Sequence, residues 1–127
     1  MLTTRGVFSF EHESQTITLI FRTWAFKRFC DLNDNMSFSA MLELLREDDV
    51  NFNKLLQLIL CAAEYGCKKE NREFTYTDED ACEWIDTLGG VNGKRFLSMV
   101  PVIFQSLIDE GAQQNGTVGK KKKLAGS

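Results

Sequence analysis

Histidine is nearly missing from this chain: His12 is the only one. A nucleophilic triad needs an imidazole beside its serine or cysteine, and a zinc finger usually needs more than one. The four cysteines, Cys30, Cys61, Cys67 and Cys82, contain no C-x-x-C pair. They read as reduced thiols buried in helices rather than as metal ligands or disulfides. His12 lies between Glu11 and Glu13 and reads as a surface residue of a turn. Proline occurs once, at position 101, and the nine glycines follow no period, which excludes collagen-like and proline-rich chains. No apolar run approaches the ~18–20 residues of a membrane span, and Met1–Val7 has no signal-peptide core. A cytosolic protein without a membrane partner is expected.

What is present belongs to one ordinary globular domain. The 127 residues are 43% hydrophobic and 26% charged, with ten Phe, two Trp and two Tyr to fill a core. Of the fifteen Lys and Arg, four are Lys120–Lys123; the rest of the chain sets the remaining eleven against eighteen Asp and Glu. So acidic a body makes a poor phosphate clamp, and no helix concentrates basic residues, so nucleic acid is not an expected partner.

Val7–Phe10 and Thr16–Phe21 are rich in β-branched and aromatic residues and flank the polar stretch Glu11–Gln15, which predicts a β-hairpin. Alternation at Thr16, Ile17, Thr18 and Leu19 gives it one buried face. A first helix is expected over Thr23–Leu32, with Ala25, Phe29 and Leu32 inward and Trp24, Lys27, Arg28 and Asp31 opposite. Ser37 caps a second, with Phe38, Met41, Leu42 and Leu45 at helical spacing and Glu47-Asp48-Asp49 at its end. The third, from about Asn51 to Tyr65, is apolar nearly all round and so central, with Asn53, Lys54, Gln57 and Glu64 as its polar stripe and Gly66 as its stop. Thr77 and Asp80 form a capping box for a fourth helix that buries Ala81, Trp84, Ile85 and Leu88 and stops at Gly89-Gly90. A fifth runs from Asn92 or Gly93 to about Glu110, with Phe96, Leu97, Val100, Phe104, Leu107 and Ile108 inward and a kink at Pro101. The fold class is therefore mainly α, in the α+β sense: an N-terminal β-hairpin packed on four to five short helices over residues 1–110. Residues 111–127 form a flexible basic tail.

Candidate chemistry is sparse. Gly89-Gly90-Val91-Asn92-Gly93-Lys94 lacks the G-x-x-x-x-G-K-[ST] spacing of a phosphate loop and reads as a turn between helices. The acidic clusters Glu47-Asp48-Asp49 and Asp78-Glu79-Asp80 lack the alternation and glycine of a calcium loop. No catalytic, cofactor or metal residue is assigned, and no enzyme is expected. What remains is surface. Trp24, on a basic helix face, is a candidate contact residue unless the hairpin covers it. Val102, on the polar side of a helix kinked at Pro101, suggests a shape made to meet a partner; the plainer alternative is a curved core helix. The apolar rows of the third and fifth helices also raise self-association.

The order of elements supports one family reading. Thr16-Ile17-Thr18-Leu19 leads into Phe21-Arg22-Thr23-Trp24 and then Phe29-Cys30. Ser37-Phe38 opens the next helix, Leu55–Leu60 lies in the central one, and Thr75–Asp80 precedes a helix containing Trp84. Over about Val7–Asp109 this resembles the tail assembly chaperones of long-tailed (siphovirus-type) bacteriophages. Such chaperones are often made in two lengths by a −1 ribosomal frameshift. Gly119-Lys120-Lys121-Lys122-Lys123 can be written as one slippery run of A after G, with the short frame ending soon after, as at Leu124–Ser127. The alternative is a basic solubilising tail. The resemblance implies that several copies coat the tape measure protein in the host bacterial cytoplasm, that a longer form recruits tail tube protein, and that neither stays in the mature virion. Trp24, Val102 and Phe104 are the candidate partner-binding residues. A small helical protein-binding adaptor or regulator unrelated to tails is the alternative function.

Overall fold

The computed structural model describes residues 5–46 and 51–107. The flexible tail expected over 111–127, the lysine run, Ile108–Glu110 and the acidic end Glu47-Asp48-Asp49 lie outside the described residues. The described chain is a β-hairpin followed by helices, as the patterning predicts. Strands β1 (Val7–His12) and β2 (Gln15–Ile20) pair antiparallel, from Val7 opposite Ile20 to His12 opposite Gln15. The hairpin is tighter than expected. Glu11, His12 and Gln15 belong to the strands, leaving Glu13 and Ser14 as a two-residue turn, both at positive φ (52° and 66°). That pairing of angles matches the right-handed twist of the strands, which is why a two-residue loop suffices. Ile17 and Leu19 face inward with Phe10, and Thr16 faces out.

Helix α1 (Thr23–Leu32) buries Ala25, Phe26, Phe29 and Cys30, whereas Leu32, expected inward, is about half exposed. Helix α2 (Phe38–Arg46) begins where the Ser37 hydroxyl accepts the Ala40 N–H at 3.0 Å. Met41 and Leu45 are its buried residues. Helix α3 (Phe52–Lys69) is central as its all-round apolar pattern requires, meeting β2, α1 and α4. It starts at Asn51, whose side chain accepts the N–H groups of Asn53 and Lys54.

Gly66 does not stop α3. It is an interior, buried position where the helix passes the β2 backbone: a Cβ there would sit inside van der Waals contact of the Thr18 carbonyl oxygen. Close approach, not helix termination, is what this glycine supplies. Helix α4 (Asp78–Thr87) has the expected capping box. The Thr77 N–H reaches Asp80 Oδ2 at 2.8 Å, and Thr77 Oγ1 accepts the Asp80 N–H at 3.3 Å. Ala81, Trp84, Ile85 and Leu88 are buried, and Gly89 and Gly90 turn the chain at positive φ.

The expected fifth helix is two segments, α5 (Lys94–Leu97) and α6 (Met99–Gln105), separated at Ser98. Pro101 has no N–H for the Leu97 carbonyl, and its ring crowds that oxygen. The helix therefore breaks upstream of the proline and restarts with Pro101 in its first turn, where no intrahelical donor is needed. The buried face is also rotated from the expected one: Phe96, Met99 and Ile103 point inward, while Leu97 and Val100 are about half exposed. The Gln105 side chain then closes the fold, accepting the Gly6 N–H at 2.8 Å beside the start of β1.

Candidate functional site

Trp24 is half-buried, and α3 rather than the hairpin covers it. Its ring stacks on Tyr65 (centroids 5.2 Å apart, planes 14° apart), and the Lys68 ammonium lies 5.9 Å from its centroid. Lys69 sits similarly over Tyr65 at 5.6 Å. These contacts hold both rings to the protein. Val102 and Phe104 are half-buried and pack against the core. The structure does not bring Trp24 together with these two as one surface: Trp24 belongs to the α1–α3 seam and the others to α6.

The α1–α3 seam continues into a cleft of about 400 Å³ bordered by Arg28, Leu32, Gln57, Leu60, Phe74 and Tyr76. The polar stripe of α3 is used here. Arg28 Nε reaches Glu64 Oε1 at 3.1 Å, and Asn33 Nδ2 donates to Gln57 Oε1 at 2.7 Å and to the Phe29 carbonyl at 2.7 Å. Lys54 Nζ donates to the Asn33 side-chain oxygen. Cys61 also borders the cleft, yet burial and the neighbouring Glu64 carboxylate push its thiol up to about 12, against the lesser opposing pull of Arg28. Burial also raises the thiols of Cys30 and Cys67. At neutral pH these three are protonated, weak nucleophiles. Cys82 departs from expectation: it is exposed on α4.

A second groove, about 300 Å³, runs between α1, α2 and the end of α6. Phe26, Met36, Phe38 and Leu107 line it, with Lys27 and Asp31 among its borders. Phe38 is 53% exposed, although its spacing with Met41 and Leu45 placed it in the core. It opens α2 one residue after the Ser37 cap, where the helix has not yet turned under its neighbours. Val91, in the turn after α4, Leu97 on α5 and Val100 (45% exposed) on α6 are further large apolar side chains that meet water. The helical pattern cannot separate such residues from core residues, because the face a helix buries depends on which neighbours arrive. Exposed aromatic and aliphatic side chains beside a groove are suited to gripping an apolar surface of another protein.

The remaining motifs have structural roles. The segment from Gly89 to Gly93 is a turn between α4 and α5, with the Gly93 N–H bonded to the Gly90 carbonyl at 2.9 Å, and Lys94 opens α5. Asp80 is engaged in the α4 cap, and Asp78 and Glu79 sit in the first turn, where negative charge complements the helix dipole. His12 is not a free turn residue. It ends β1 with its side chain only 15% exposed, and Nδ1 lies 2.8 Å from Thr87 Oγ1 on α4. No helix among the described residues is long and apolar enough to cross a membrane. No family model, curated protein or solved structure matches this chain.

Proposed function

We propose that this chain is a phage tail assembly chaperone that holds the tape measure protein in solution during tail morphogenesis. The observation that carries the reading is the groove headed by Phe38, together with the separate apolar set at Leu97 and Val100, on a chain with more acidic than basic residues. A long helical client that aggregates through apolar stripes needs apolar contacts spread over its holder and charge on the outside of the complex. The element order and the Gly119–Lys123 run add the family resemblance, with a longer frameshifted form recruiting tail tube protein. Trp24 contributes at the edge of the α1–α3 seam, and Val102 and Phe104 support the exposed residues of α6.

The test is co-expression with the tape measure protein encoded near this gene. Soluble tape measure protein should appear only with this chain present. Phe38→Asp and Val100→Asp should each lower the soluble yield several-fold without lowering the melting temperature of the free chain. A tape measure protein that stays insoluble beside the wild-type chain sinks the reading and leaves the adaptor function. Intact masses of the products of the native gene address the frameshift separately: a minor, longer product diverging near Lys123 is expected.

A further inference from the structure

At the tip of the hairpin the chain's single imidazole meets two carboxylates. His12 Nε2 lies 3.8 Å from Glu13 Oε2 in the turn and 3.7 Å from Glu83 Oε1 on α4. The three atoms all lie within 4.8 Å of one another. His12 and Glu13 are neighbours in the chain at the strand end and turn, and the packing of the hairpin tip on α4 brings Glu83 to them. We propose that His12, Glu13 and Glu83 form a binding site for a divalent transition cation of the zinc type.

Three features support it. The donor set, one imidazole nitrogen and two carboxylate oxygens, suits a borderline cation, and three protein ligands leave a position for water. The other ring nitrogen is already committed. In the tautomer that carries its proton on Nδ1, that proton is donated to Thr87 Oγ1 across 2.8 Å and the Nε2 lone pair is turned toward the carboxylates, the outer-shell arrangement that orients metal-bound histidines. The dimensions are also close. At bonds of ~2.0–2.2 Å a tetrahedral ion sets its donor atoms about 3.3–3.6 Å apart. Both distances from Nε2 exceed that spacing by only a few tenths of an ångström. Any excess between the carboxylates is within reach of the Glu13 side chain, which is 78% exposed and free to swing. A proton on Nε2 would satisfy the same three atoms with one positive charge. A divalent ion supplies two, opposite two carboxylates, and would clamp the hairpin tip to α4.

The experiment titrates zinc sulfate into the metal-stripped full chain, following heat and the single imidazole resonance. One equivalent should bind, shift the His12 ring signals and raise the melting temperature. Glu83→Gln, at an exposed helix position, should remove binding while leaving the fold intact, and His12→Asn should do the same. Thr87→Val, which frees Nδ1, should weaken zinc about tenfold. Cys82→Ser should change nothing. Absence of saturable binding overturns the proposal. So does binding that survives Glu83→Gln and His12→Asn, or that disappears with Cys82→Ser, since the ion would then be held by the exposed thiol. None of these readouts involves the tape measure protein, so this site stands or falls independently of the chaperone function.

Discussion

Single residues in this protein are governed by what packs over them. Cys61 and Cys82 share a chemistry but not an environment: one is buried under α1 beside Glu64, the other faces out from α4. The Cys61 thiol ionises near pH 9 in the unfolded chain but only at about 12 when folded. Below pH 9 both states keep the proton and stability is complete. Above it the unfolded chain loses a proton that the folded one retains, so stability falls with rising pH until about 12. The melting temperature should therefore drop across that window, and more steeply in the wild type than in Cys61→Ala. A disulfide reagent at pH 8 should label Cys82 at once and Cys30, Cys61 and Cys67 only on unfolding. Equal slopes for the two chains would mean that Cys61 is not sealed.

At the scale of elements, the informative case is the break between α5 and α6. Local pattern alone favours one helix from Gly93 onward, and the inward residues Phe96, Met99 and Ile103 still fall on one helical face. The interruption at Ser98 therefore follows from the proline and not from a change of partner. Pro101→Ala restores an N–H for the Leu97 carbonyl and removes the clash. It should join the two segments, raise the helical circular dichroism and leave the melting temperature equal or higher. A fall of several degrees would show that the break is needed to seat Gln105 against Gly6.

For the molecule as a whole, the joint between the hairpin and the helices decides stability. A two-stranded hairpin is marginal alone, so β1 and β2 depend on α3 for a core. That contact is closest where Gly66 passes Thr18. Gly66→Ala gains ~1 kcal/mol of helix propensity but must push the strand and helix apart, for a net loss of about 2 kcal/mol. Thermal melts should show hairpin and helices lost together at a lower temperature, in a single transition. At this scale the exposed apolar sets gain their meaning too. Phe38, Leu97 and Val100 stay outside a core already filled by Leu58, Ile59, Phe21 and Phe29, the exposed sites on which the proposed chaperone function draws.

The order of elements, the α3 centre, the α4 cap and the inward residues of β2 were all legible in the sequence, because each rests on interactions within a few residues of chain. Alternation marks a strand face, a Thr-x-x-Asp marks a cap, and an apolar surface all round marks a buried helix. Tertiary structure alone decided which rows were buried at α5 and α6, that Gly66 spaces two backbones, and that Tyr65 rather than the hairpin covers Trp24. It also decided that His12 faces Glu83 across seventy residues of chain. Each of these depends on the arrival of a distant element. Sequence periodicity can name the apolar and polar faces of a helix, but the neighbours that dock against it choose which of them meets water.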